Sequence, residues 1–359
     1  MKRLETSAVK NILIRGVNWV GDAVMSIPAM REIRRLFPEA HIALLVNPWV
    51  SAIYAEADFV DEILHYDKNG VHKGWTGFGR LVSDLRRREF DLAILLQNAF
   101  EAALIACCAR IPLRVGYARD GRRLLLTHPC KIDPGLRQVH QVYYYLGILS
   151  SLGLLKPRIW ERSDCNFSIG IGIRECDRDA ALAMLRMNGI HENDPVIAVN
   201  PGAFYGEAKR WFPERYAAVA DALADRYGAR IIILGASSDL ETARMVAAQM
   251  SSQPAILAGQ TTLGQLMGVL KLVDLLITND SGTMHLAAAL DVPQLAIFGS
   301  TSEVATGPLN QNAAVIKHQV ECNPCFLREC PTDFRCMKGV TVVEVVDAAR
   351  KILDIRGRK

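Results

Sequence analysis

Asn11-Ile12-Leu13-Ile14-Arg15-Gly16-Val17-Asn18-Trp19-Val20-Gly21-Asp22-Ala23 is the stretch that decides the fold class. A short aliphatic run ends at Gly16, and an amphipathic helical pattern follows from Asp22 to Phe37, which makes a strand–turn–helix unit. The pattern repeats: strand His41 to Val46, a short helix Val50 to Ala55, strand Glu62 to His65, helix Phe78 to Arg88 and strand Asp91 to Leu96. Strands this apolar, each separated by a helix, imply a parallel sheet covered on both faces.

A second series begins at Pro195-Val196-Ile197-Ala198-Val199-Asn200. It runs through helix Glu214 to Tyr227, strand Arg230 to Leu234, helix Leu240 to Met250, strand Leu275 to Thr278, helix Thr283 to Leu290 and strand Gln294 to Phe298. Between the series lie a Tyr- and Leu-rich helix, Val139 to Leu152, and a Pro-, Gly- and charge-interrupted stretch, Gly153 to Arg174, that reads as the linker. Two α/β domains, residues 1–170 and 171–359, are expected, with a final helix from Val342 to Ile355. Two facing doubly wound domains would bind ligands in a cleft at the carboxyl ends of their strands.

The length of 359 residues fits that division. Half the residues are hydrophobic and 22% are charged, which excludes general disorder. The formal charge of +4 is too mild for a nucleic-acid coat, so local clusters matter more than the sum. Nine Cys cannot all pair within one chain and are few for a secreted scaffold of this size, which fits a reducing cytoplasm. The polar start, Met1 to Lys10, lacks the apolar core of a secretory signal, and no run approaches the ~18 apolar residues of a membrane span.

Candidate chemistry sits just after strands. The Gly16 to Asp22 turn is not a G-x-G-x-x-G fingerprint, which weakens a nicotinamide reading. Asp22 stands at a helix start, where a carboxylate serves as a cap or, facing a ligand, as a general base; spacing alone favours the cap. The loop Asn200-Pro201-Gly202 to Lys209-Arg210-Trp211 suits a diphosphate, unless it is a solvated basic turn. Asp280-Ser281-Gly282-Thr283-Met284-His285 opens an Ala-rich helix whose free N–H groups form an anion site. The plainer alternative there is an N-cap at Asp280 or Ser281 and a core histidine at 285. Asp239 reads as a helix cap, and Glu241 is left open as a ribose acceptor. Arg110, Arg114, Arg119, Arg122 and Arg123 form a basic cluster suited to an anionic partner, though scattered arginines usually mean a solvated surface.

Gly21-Asp22, Asn200-Pro201-Gly202 with Lys209-Arg210-Trp211, and Asn279-Asp280-Ser281-Gly282-Thr283-Met284-His285 together resemble the ADP-heptose:lipopolysaccharide heptosyltransferases, in order and over nearly the whole chain. Cys322-Asn323-Pro324-Cys325 with Cys330 and Cys336 is similar to a segment of the heptosyltransferase II branch. The resemblance implies a GT-B fold of two Rossmann-like domains, the N-terminal one for the acceptor and the C-terminal one for ADP-heptose. By position, Asp22 matches the family's catalytic base and Lys209 the lysine at the donor phosphates, with a share in catalysis. Asp280, Ser281, Gly282, Thr283 and His285 match the donor loop, and Arg119, Arg122 and Arg123 are the acceptor candidates. The implied acceptor is Kdo-lipid A carrying heptose, at the cytoplasmic leaflet of the inner membrane. A cytoplasmic enzyme that touches the membrane only peripherally is therefore expected.

The resemblance implies inverting transfer without a required cofactor. The C-x₂-C-x₄-C-x₅-C spacing of Cys322, Cys325, Cys330 and Cys336 could close around zinc or an iron–sulfur centre, but it lacks paired C-x₂-C knuckles, and metal-free or conditionally oxidised thiols are preferred. Competing functions are a related heptosyltransferase acting at another core position, a GT-B nucleotide-sugar epimerase, and a non-catalytic nucleotide- or metal-binding protein. A passive binder has no need of a base at residue 22.

Overall fold

The structure, a computed structural model, describes residues 8–161 and 167–356. Residues 162–166 of the expected linker lie outside the described residues. The chain divides into two compact units, Met1–Gly172 and Ile173–Lys359.

In the first unit six parallel strands lie in the order β3-β2-β1-β4-β5-β6. They are β1 (Asn11–Arg15), β2 (His41–Val46), β3 (Glu62–His65), β4 (Leu92–Leu95), β5 (Leu113–Tyr117) and β6 (His128–Cys130). The helices are α1 (Val20–Leu36), α2 (Gly74–Arg87), α3 (Phe100–Cys108) and α4 (Val142–Ser151). Central β1 is flanked on both sides, Leu13 pairing with Ala43 of β2 and Ala93 of β4. Every Ile and Leu of β1 is therefore buried, the unbroken apolar run that a two-sided parallel strand requires. One part of the core gathers Leu13, Leu45, Tyr66, Leu85, Phe90 and Ile105.

The second unit repeats this wiring. Its strands are β7 (Val196–Asn200), β8 (Arg230–Ile233), β9 (Ala255–Ile256), β10 (Leu275–Asn279), β11 (Gln294–Phe298) and β12 (Ala313–Lys317), in the order β12-β11-β10-β7-β8-β9. The helices are α5 (Glu175–Met187), α6 (Pro213–Tyr227), α7 (Leu240–Ala247), α8 (Leu263–Leu272), α9 (Gly282–Ala289), α10 (Glu303–Thr306), α11 (Arg335–Gly339) and α12 (Val342–Arg356). Numbered within each unit, both sheets read 3-2-1-4-5-6, the doubly wound order. Helix α6 shows the local logic: Pro213 fits the first turn, where no N–H is needed, and Gly228 ends the helix at φ 62°. Trp211, Tyr216, Ile277, Ile297 and Met337 share one core, which anchors the end of the Cys-rich segment.

Strand order reverses between β1 and β4 and again between β7 and β10. At such a switch point the connections leave in opposite directions and open a crevice beyond the carboxyl ends. The Asp22 turn follows β1, while the Asn200 and Asp280 loops follow β7 and β10.

Exposed apolar bulk in the first unit has one address. Trp19, Trp49, Val71, Trp75, Phe100 and Leu124 are the exposed large hydrophobics among its described residues, and each follows the carboxyl end of a strand, β1 through β5. The opposite edge carries charged turns such as Arg86 to Glu89. No helix among the described residues is long and apolar enough to cross a membrane.

Candidate active site

In the second unit, two asparagines at strand ends organise the site. Asn279 is fully buried at the end of β10; its Oδ1 accepts from the Trp211 N–H and the Tyr216 hydroxyl, each at 3.0 Å. Its Nδ2 donates to the carbonyls of Pro201 (2.8 Å) and Gly202 (3.4 Å). One side chain thus pins both ends of the loop that carries Lys209. Asn200, at the end of β7, donates to Thr278 Oγ1 at 3.1 Å and Ser281 Oγ at 3.2 Å, tying the two switch-point loops together.

Lys209 and Asp280 meet directly, Nζ to Oδ2 at 2.6 Å, with side-chain exposures of 14% and 5%. The same carboxylate oxygen accepts from Thr301 Oγ1 at 2.7 Å and Thr306 Oγ1 at 3.4 Å. An ammonium has three donors, so this bond aims Lys209 without exhausting it. The ring of Tyr205 lies 4.9 Å from Nζ. The cap reading of Asp280 gives way to this ion pair. Ser281 is the N-cap residue of α9, yet no side-chain hydrogen bond caps the helix, and its hydroxyl is engaged by Asn200 and Thr278 instead. The first turn, Gly282 and Thr283, therefore keeps the character of an anion-binding helix start. His285 is buried one turn further along α9.

Asp239 accepts from the Ala236 N–H at 3.1 Å and lies 3.3 Å from Arg210 Nη2, the capping part expected of it, with an added ion pair. Gly202 permits this: a Cβ there would stand 2.3 Å from the Asp239 carboxyl carbon. Glu241 is exposed on the first turn of α7.

In the first unit, Asp22 lies in the first turn of α1, behind an N-cap residue, Trp19, that makes no side-chain cap. Its Oδ1 accepts a 2.7 Å hydrogen bond from the Tyr145 hydroxyl of α4. Burial first, then the Asp22 carboxylate, push the Tyr145 phenol well above its ordinary pKa, so it stays a donor. Sequence reasoning missed Tyr145; within the Tyr143-Tyr144-Tyr145 run nothing marks one ring as special. It also missed Arg15, which is buried and donates to the carbonyls of Gly16 (2.6 Å) and Leu45 (3.1 Å), supporting the turn before Asp22. Burial pulls Arg15 down to about 10.

The three acceptor candidates separate. Arg119 and Arg123 are exposed beyond β5. Arg122 corrects the expectation: it is fully buried and donates to Tyr117 O at 2.8 Å, Asn98 Oδ1 at 3.1 Å and Gln97 O. Its guanidinium joins the carboxyl ends of β4 and β5 rather than meeting a ligand. Arg114, read as part of the same cluster, belongs to β5 and donates from Nε to Leu125 O at 2.7 Å.

Cys322, Cys325, Cys330 and Cys336 line one cavity of about 210 Å³. Among the described residues, no group of three or more His, Cys, Asp or Glu is arranged to hold a metal ion.

The model of glycosyltransferase family 9 (heptosyltransferase) matches residues 78–334, more than half of the chain. The chain belongs to glycosyltransferase family 9. Lipopolysaccharide heptosyltransferase 2 of Salmonella typhimurium is 31% identical over 85% of this family 9 enzyme and 87% of its own length. Lipooligosaccharide heptosyltransferase 2 of Haemophilus ducreyi is 30% identical over 85% and 88%. Among solved structures, the ADP-heptose LPS heptosyltransferase II of E. coli aligns with TM-score 0.82 at 25% identity, covering 97% of this chain and 99% of that one. A family 9 glycosyl transferase from Veillonella parvula aligns with TM-score 0.85 at 25% identity, covering 98% of both chains. The GT-B fold expected of two doubly wound units is thus shown, and the enzyme is a glycosyltransferase.

Proposed function

We propose that this enzyme is a heptosyltransferase II, moving L-glycero-D-manno-heptose from ADP-heptose to the heptose-bearing inner core of lipopolysaccharide with inversion at the anomeric carbon. The observation that carries the reading is the likeness to relatives named heptosyltransferase 2 over 85% of the chain, which includes Asp22, Lys209 and Asp280.

The reaction is a single displacement. An acceptor heptose hydroxyl attacks the donor's anomeric carbon, the bond to the ADP oxygen breaks, and Asp22 takes the hydroxyl proton. Such general-base help is worth roughly 100-fold to 10,000-fold. Negative charge develops on the departing diphosphate. Lys209, aimed by Asp280, and the first turn of α9 at Ser281, Gly282 and Thr283 answer that charge, in the part a divalent cation plays in other sugar transfers. His285 supports the donor from the same helix, and Glu241 is the proposed ribose acceptor. Arg119 and Arg123 face the anionic acceptor, and peripheral contact with the leaflet that holds it follows from the acceptor's lipid anchor.

Purified enzyme with ADP-heptose and acceptors carrying no, one or two heptoses tests the assignment. Product from the one-heptose acceptor alone is expected; preference for another acceptor would move the enzyme to a different core position. Asp22→Asn should abolish transfer while ADP binding by calorimetry is kept, and near-normal turnover would sink the base assignment.

A further inference from the structure

The Cys-rich segment is built onto the loop that carries Lys209. The Ala208 N–H donates to Arg328 O at 3.0 Å, and the Tyr205 hydroxyl donates to Phe326 O at 2.7 Å. The Phe326 N–H in turn donates to Ser300 O at 2.7 Å, on the other side of the segment. The Arg328 guanidinium lies 5.3 Å from the centre of the Tyr205 ring, the same ring that receives Lys209. Contact at Gly206 is so close that a Cβ would stand 2.2 Å from Arg328 O. Residues 326–328 and 205–209 therefore move as one, or strain each other when they do not.

The thiols stand immediately beyond this junction. Cys330 is two residues from Arg328, and the cavity it shares with Cys322, Cys325 and Cys336 also touches Ala208. Ser300 is in the same wall, 1% exposed, and its hydroxyl makes no hydrogen bond with the described protein, so the cavity holds polar capacity that the fold leaves unspent. Cys330 differs from its neighbours. Partial burial and the Asp333 carboxylate oppose its ionisation, but hydrogen bonds from Thr332 and from the Phe334 N–H outweigh them and hold the thiol below its ordinary pKa. Burial pushes Cys336 the other way. A wall that holds one thiolate-prone sulfur beside three further thiols has the composition of an oxidisable site.

We propose that this cavity is a thiol-oxidation site for a small hydroperoxide, with Cys330 as the sulfur attacked and a second wall thiol as the one that resolves it. The Cys330 thiolate attacks the peroxide O–O bond, leaving a sulfenic acid and releasing hydroxide or alkoxide. A neighbouring thiol then displaces water to form a disulfide; two electrons pass from the two sulfurs to the peroxide. Closing that bond draws the 326–330 backbone and, through Arg328, the Lys209 loop. Its consequence for the nucleotide rests on the donor-site reading above; the oxidation chemistry does not.

Full-length enzyme, Cys330→Ser and Thr332→Val are treated with stoichiometric hydrogen peroxide, mapped by non-reducing peptide mass spectrometry, and titrated with ADP. Exposed Cys176 is the internal reference. Cys330 should oxidise faster than Cys176 and appear in a disulfide with Cys322, Cys325 or Cys336, more slowly in Thr332→Val and not at all in Cys330→Ser. ADP affinity should fall about tenfold on oxidation, the scale of one lost polar interaction, and return with dithiothreitol. Cys330 no faster than Cys176 overturns the site. So does stoichiometric metal on the four thiols of anaerobically purified enzyme that blocks the reaction. A disulfide that forms while ADP binding holds steady overturns the coupling to Lys209. If even the unoxidised enzyme fails to bind ADP, the donor reading fails while the peptide map still judges the oxidation.

Discussion

Tyr145→Phe removes one atom and leaves the packing standing. The ring is 3% exposed and meets Tyr144 edge to face at 5.6 Å, so phenylalanine fills the same space. What is lost is the 2.7 Å bond to Asp22 Oδ1. A hydrogen bond to a charged group contributes about 1.5–3 kcal/mol net. Asp22 is half-buried, so water replaces part of the lost donor and the low end applies. About 1.5 kcal/mol on the barrier is roughly a tenfold loss in kcat/KM. The donor bond favours the ionised carboxylate, so without it protonation is easier and the acid limb of the rate profile should move to higher pH. The assay is kcat/KM for heptose transfer across pH, with thermal melts as a control and the same change made in Asp22→Asn. In that background Tyr145→Phe should have no further effect on rate. A uniform drop with an unmoved acid limb, or wild-type rates throughout, would refute the reasoning that Tyr145 acts through Asp22.

Lys209→Met breaks a largely buried pair and strands the Asp280 carboxylate, a situation that costs about 3–5 kcal/mol; calorimetric melts should show a large drop, and Asp280→Asn in the same chain should restore part of it. Arg122→Met should destabilise markedly in urea titrations because Tyr117, Gln97 and Asn98 lose their buried donor, whereas Arg119→Ala and Arg123→Ala should stay within ~0.5 kcal/mol of wild type. Burial would raise the Asp61 carboxyl, but the Ile42 N–H, Arg34 and His41 outweigh it and lower its pKa. Its contribution is therefore present above the ordinary aspartate value of ~3.9 and lost as pH falls through the lower folded one, and Asp61→Asn should flatten that acid-side loss of stability in urea titrations at successive pH values.

Much of the fold was legible because buried parallel strands leave an unmistakable trace. Asn11 to Arg15 and Pro195 to Asn200 announce themselves as continuous apolar runs, and their helices follow in phase. Strand β5 escaped because Leu113-Arg114-Val115-Gly116-Tyr117 interrupts its apolar pattern with an arginine, and the cluster around it drew a ligand-binding reading instead. Edge strands β9 and β12 escaped for a related reason: half-buried, they do not need an unbroken apolar face. At the candidate site the sequence marked Lys209 and Asp280 but could not reveal that they bond to each other, because their approach depends on Asn279 pinning a loop some seventy residues away, as the |i−j| of 68 between Trp211 and Asn279 records. Arg122 failed as a ligand candidate because burial is a property of packing; its neighbours Arg119 and Arg123 have the same residue type and the opposite fate.

The polarity of the parallel sheets has a practical side. With β1 to β5 delivering the Asp22 turn and the exposed aromatic side chains to one edge, the turns at the amino ends, such as Phe37 to Ala40 and Arg88 to Asp91, are left with connecting and little else. Those turns are where a fluorophore, an affinity handle or a surface tether can be attached with the chemistry undisturbed. An enzyme immobilised through Glu39 or Glu89 should turn over like the free protein, whereas one held through Trp19 or Trp75 should not.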